Sequence, residues 1–137
     1  MDLDKAILYL RPNDHRGLKT KTSTRSIPLS PRATECLRQQ QVGLSDTDPI
    51  FPAYAQPRGS DNASAMLMKR LRTVITDKKL TMHSLRHRMK DKLRNTGCPE
   101  AISLAILGHS TNTVAANYGS GYALEVMREA LVRVWDK

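Results

Sequence analysis

A chain of 137 residues that is 39% apolar and 26% charged suits a single soluble globular domain and leaves no room for a long low-complexity or fibrous segment. Its 22 Lys and Arg against 13 Asp and Glu give a formal charge of +9, which favours a polyanionic partner, in a cell chiefly nucleic acid. The two cysteines, Cys36 and Cys98, lack CxxC spacing, which argues against a disulfide scaffold or a cysteine zinc site. No apolar run approaches the roughly 18 residues of a membrane span. Met1-Asp2-Leu3-Asp4-Lys5 also lacks the basic-then-apolar pattern of a signal peptide, so a reducing, cytoplasmic setting is the expectation.

In chain order, Ala6-Ile7-Leu8-Tyr9-Leu10 is apolar and partly β-branched and ends in the turn cluster Arg11-Pro12-Asn13-Asp14, which predicts a strand. The Thr-rich stretch from Gly17 to Leu29 alternates loosely and predicts a second strand or hairpin. Ser30-Pro31 is a helix start, with Ser as cap and Pro at the first helical position, for a helix running to about Gln41. Residues 44–59, with Pro49, Pro52 and Pro57, read as loop, with Ile50-Phe51 turned inward. Asp61 or Asn62 is the expected cap of a helix whose apolar stripe is Leu67, Leu71, Val74 and Ile75. Thr81-Met82-His83 begins a helix ending near Asn95-Thr96-Gly97; Cys98-Pro99-Glu100 opens the next, closed by Gly108. A short helix is expected up to Tyr118, and Leu124, Met127, Leu131 and Val134 mark the apolar stripe of a C-terminal helix. Two or three strands followed by five or six helices make a mainly α domain with a small antiparallel sheet at its N-terminal side, an α+β fold. One domain is expected over 1–137, with a β-hairpin region at about 5–29 and a helical region at about 30–137.

The chemistry concentrates between His83 and Tyr118. His83 and Arg86 are three residues apart and share a helix face. His109 follows Gly108 at a helix end, where a side chain can be presented into a cleft. Arg offers a planar, permanently charged fork that fits two phosphate oxygens. His donates to such oxygens or accepts a nucleophile's proton. A Tyr, with an ordinary pKa near 10, needs neighbouring cations to react as phenolate. Each well-aimed donor lowers a barrier of this kind by about 3 kcal/mol.

At His83-Ser84-Leu85-Arg86, Leu107-Gly108-His109 and Asn117-Tyr118-Gly119 the sequence resembles the tyrosine recombinases, or phage integrases. That family has His-x-x-Arg, then Gly-His about two dozen residues later, then a nucleophilic Tyr nine residues on. Here His83 to His109 is 26 residues and His109 to Tyr118 is nine. The stretch from Lys19 to Leu29 is similar to the family's catalytic-lysine hairpin, so the resemblance covers essentially the whole chain.

The resemblance implies a truncated, integrase-like catalytic domain that cuts and rejoins DNA in site-specific recombination. Tyr118 would form a 3′-phosphotyrosine and release a 5′-hydroxyl. Arg86, His83 and His109 would bind the scissile phosphate, and Lys19, or alternatively Lys21, would protonate the leaving oxygen. Arg25, Lys21 and Arg88 are the expected DNA contacts. No metal or cofactor is implied. The implied partner is double-stranded DNA, with a tetramer on DNA as in full-length members, in the cytoplasm of a bacterial or phage system. One departure stands out. The family's first catalytic arginine lies in a Gly-x-Arg-x-x-Glu-like helix before the sheet, and neither Arg11 nor Arg16 has that setting. A partial domain, impaired in isolation, is therefore the expectation.

Competing readings attach to the same residues. A non-catalytic DNA-binding remnant would keep the basic surface without the chemistry. His83 and His87, at i and i+4, have the spacing of a zinc pair but lack an obvious third ligand. Tyr122 is a rival nucleophile at a poorer spacing from His109. Arg32, Lys69, Arg70, Arg72, Lys78, Lys79 and Lys90 read individually as solvated charge, though several of them together would contact phosphates. A type IB topoisomerase shares the chemistry but not the short length, and a metal-dependent nuclease would need a carboxylate cluster. The terminal helix either packs into the core or docks on a neighbouring protomer.

Overall fold

Ile7–Leu10 (β1) and Arg25–Pro28 (β2) pair antiparallel, with Ile7 opposite Pro28 and Leu10 opposite Arg25. The computed structural model describes residues 1–12, 17, 23–45, 47–109 and 121–135. Among these, the two strands form the sheet and five α-helices follow it, which is the mainly helical α+β arrangement expected. The expected hairpin tip with Lys19 and Lys21, and the segment 110–120 with Tyr118 and its expected short helix, lie outside the described residues.

Pro31–Gln41 (α1) starts where the Ser-Pro signal puts it: Ser30 Oγ accepts from the Ala33 N–H at 3.2 Å. Arg38 of this helix donates to Leu3 O at 3.1 Å, tying α1 to the N-terminal turn.

The next helix departs from expectation. Gly59–Arg72 (α2) begins ahead of Asp61 and Asn62, because Arg58 adopts a left-handed conformation (φ 62°) and its carbonyl accepts from both Asp61 and Asn62 N–H at 3.1 Å. Only Gly fits the first position, since a Cβ there would run into the Tyr54 carbonyl. Phe51 is not anchored inward; it is 51% exposed beside a short 3-10 turn at Pro52–Tyr54. The stripe foreseen for α2 assumed helix through Ile75. The helix stops at Arg72, so Val74 falls in the following turn and is 80% exposed.

Met82–Asn95 (α3) is capped at its start by Ser84 Oγ, which accepts from the Thr81 N–H at 3.0 Å. Glu100–Leu107 (α4) and Leu124–Trp135 (α5) complete the chain. Leu93 of α3, Ile106 of α4, and Met127, Ala130, Leu131 and Val134 of α5 form the core, with Ile27 of β2 packed against it. The stripe read from the sequence of α5 thus faces inward in this structure, where burial of such side chains contributes about 1.5–3 kcal/mol each. None of the helices is long and apolar enough to cross a membrane, among the described residues.

Candidate functional site

The site is built on the C-terminal end of α4. Gly108 adopts φ 66°, and the chain closes the helix with two bonds, Gly108 N–H to Ala105 O at 3.2 Å and His109 N–H to Leu104 O at 2.9 Å. That paired closure is the Schellman pattern, and it leaves the Ile106 and Leu107 carbonyls without partners from the helix itself. Two arginines take them. Arg25 of β2 donates from Nε to Ile106 O at 3.2 Å and from Nη1 to Ser23 O at 3.1 Å. Arg86 of α3 donates from Nη2 to Leu107 O. Cations suit this end of a helix, where the backbone dipoles concentrate negative potential.

His109 follows directly and is exposed. Partial desolvation, and then the charges of Arg86, Lys90, Arg25 and His83, hold its imidazole below the ordinary histidine range. The same four groups therefore lie within electrostatic reach of one ring. On α3, His83, Arg86 and Lys90 fall within an arc of about 60° at 3.6 residues per turn, which is why one helix supplies three of them. The His83 and His87 rings stand edge-to-face with centroids 4.9 Å apart. No group of three His, Cys, Asp or Glu side chains converges among the described residues.

Of the residues singled out from the sequence, His83, Arg86 and His109 come together here. Arg25, expected as a DNA contact, joins them with its guanidinium packed on Gly108. Arg88 is exposed on α3, and Tyr122 is 44% exposed just before α5. Lys19, Lys21 and Tyr118 fall outside the described residues. Lys90 reads from the sequence alone as one solvated charge among many. The signal for it was its position four residues after Arg86 and seven after His83, on the same helix face.

No protein-family model, curated protein or solved structure matches the chain. The functional reading therefore rests on this cluster and on the sequence pattern. Chemically, two guanidinium groups at one helix end, with a lysine and a second imidazole within electrostatic reach of His109, suit an anion with several oxygens, and a phosphodiester is the common cellular case.

Proposed function

We propose that the chain is part of a tyrosine recombinase catalytic domain, which cleaves and rejoins double-stranded DNA through a 3′-phosphotyrosine. The observation that carries the reading is that Arg25 and Arg86 bind the adjacent Ile106 and Leu107 carbonyls at the closed end of α4, next to His109, with His83 and Lys90 within electrostatic reach of its ring. The scissile phosphate binds there; Arg86 spends one N–H on Leu107 O and keeps the rest of its five donors for the phosphate. Tyr118 attacks phosphorus, the 5′-oxygen leaves with a proton from Lys19 or Lys21, and the ester conserves the energy needed for rejoining. The cations around His109 stabilise both the phenolate and the extra charge on the pentavalent phosphorus. The working unit is a tetramer on DNA in the cytoplasm of a bacterial or phage system. The isolated chain is impaired for complete recombination, because its sequence holds no Gly-x-Arg-x-x-Glu segment.

A DNA-binding remnant is the second reading. The specific observation in its favour is that Arg25 and Arg86 each hold a backbone carbonyl, so both have a structural duty that outlives any chemistry. One experiment separates the two. A random-sequence duplex pool with 5′-bridging phosphorothiolate linkages offers a leaving group that needs no proton, and covalent complexes are recovered under denaturing conditions. The recombinase reading expects a low-yield adduct mapped to Tyr118 and absent in Tyr118→Phe. DNA binding without any adduct selects the remnant, and an adduct on Tyr122 overturns the role given to Tyr118.

A further inference from the structure

The basic face of α3 does not stop at Lys90. His83, Arg86, His87, Lys90 and Arg94 occupy an arc of about 100°, over a length of about 16 Å at 1.5 Å per residue. At its far end the stripe enters a cleft of about 130 Å³ between α3 and α4, lined by Lys90, Arg94, Cys98, Glu100 and Ser103. Lys90 thus borders this cleft and also lies within electrostatic reach of His109.

Three features of the cleft suit an anion. Lys90 and Arg94 face it from adjacent turns of α3, and Arg133 of α5 lies within electrostatic reach of the Cys98 thiol. Ser103, only 6% exposed, lines the cleft beside them. The Ser103 hydroxyl adds a neutral donor to the cations of the cleft. Its floor is the first turn of α4, where backbone N–H groups add to the positive potential. Glu100 is the one carboxylate on the rim. Arg94 also has Asp91 at 3.6 Å, an exposed pair that solvent weakens.

We propose that this cleft is a second phosphate subsite, in which Lys90, Arg94 and the Ser103 hydroxyl hold a backbone phosphate of the same DNA that His109 and Arg86 engage. For its natural ligand the proposal rests on the DNA reading; for its chemistry it rests on the cleft alone. Phosphates recur along each strand every ~3.4 Å of helix axis, so one strand laid along the α3 stripe meets both positions.

The test uses the full chain, 15N-labelled, titrated first with sodium phosphate and then with a duplex of mixed sequence. Phosphate is expected to shift the amides of Cys98 and Ser103, and Glu100→Gln, which removes the rim carboxylate, should tighten that binding several-fold. Arg94→Gln, at an exposed position, should weaken duplex binding about 3–10-fold and lower the slope of log affinity against log salt by about one. The proposal is overturned if phosphate shifts only residues around His109, or if Glu100→Gln leaves affinity unchanged; the DNA reading survives either result. Binding of phosphate in the cleft with Cys98 and Ser103 unmoved by duplex overturns the assignment to DNA. Failure of the duplex to bind at all overturns the DNA reading itself, while the phosphate arm still reports on the cleft.

Discussion

The guanidinium of Arg25 lies where a side chain on Gly108 would begin. A Cβ built on Gly108 would overlap Nη1 and Cζ of Arg25, and the backbone there has φ 66°. Glycine is thus required twice, once by conformation and once by contact. Gly108→Ala should cost about 2–4 kcal/mol, combining left-handed strain with displacement of a charged hydrogen bond. Arg25→Ala alone should cost about 1–3 kcal/mol. In the Arg25→Ala background the glycine substitution should cost only its strain, about 1–2 kcal/mol, so a double-mutant cycle by urea unfolding reads the contact directly. Strict additivity would show that the two residues do not meet.

His109 gives the cluster a pH dependence. Its folded pKa is depressed, first by desolvation and then by Arg86, Lys90, Arg25 and His83. Between that value and the ordinary one the unfolded chain binds more protons, so stability is lost as pH falls through the ordinary histidine range. An anion at the cluster reverses the balance and favours the imidazolium. Sulfate, which does not titrate near neutrality, should therefore bind more tightly at pH 6 than at pH 8, with proton uptake. His109→Gln should flatten much of that difference. Affinity that is level across this range in the unaltered chain would remove the anion from His109.

Arg72 gathers the turn that precedes α3. It donates to Ile75 O at 3.5 Å, Asp77 O at 2.8 Å, Lys78 O at 3.2 Å and Leu80 O at 2.7 Å. One guanidinium thus fixes the residues that lead into Thr81 and the helix bearing His83. Arg72→Ala should lower stability by about 1–2 kcal/mol, at the low end for charged bonds because the turn is washed by solvent. Arg72→Lys should recover less than half of that, since an ammonium cannot fork to four carbonyls. Thermal unfolding of the two variants measures both values, and a lysine variant equal to the parent would deny the fork its role.

Leu93 is fully buried at the centre of α3, α4 and α5. Leu93→Ala should cost about 2–5 kcal/mol, a large part of the stability of a domain this size. Because α3 and α4 carry the cluster, DNA binding should fall in step with the folded fraction seen by circular dichroism. Retained binding by an unfolded variant would mean that bulk charge, rather than the site, captures DNA.

Legibility in the sequence followed the range of each interaction. Ser30-Pro31, the α5 stripe and Gly108 act within a turn or two, and each element lies where its local signal puts it. The start of α2 was misread because the left-handed turn at Arg58 competes with the caps Asp61 and Asn62, and only the contact with Tyr54 decides between them. Phe51 reads as inward by its apolarity alone, yet it stays half exposed in the described fold. His83, Arg86 and His109 were legible by type and spacing. The role of Arg25 was not, since its partner Ile106 is 81 residues away and no local pattern encodes a strand side chain closing a helix end.

The central claim is that a DNA phosphate docks at the closed end of α4. Its most direct measurement is the Cε1–H resonance of His109, followed by NMR as a short duplex is titrated at several pH values. A phosphate seated against the ring should shift that resonance at stoichiometric DNA and raise its titration midpoint. Saturating DNA that leaves both the shift and the midpoint of His109 where they were in the free protein would contradict the account.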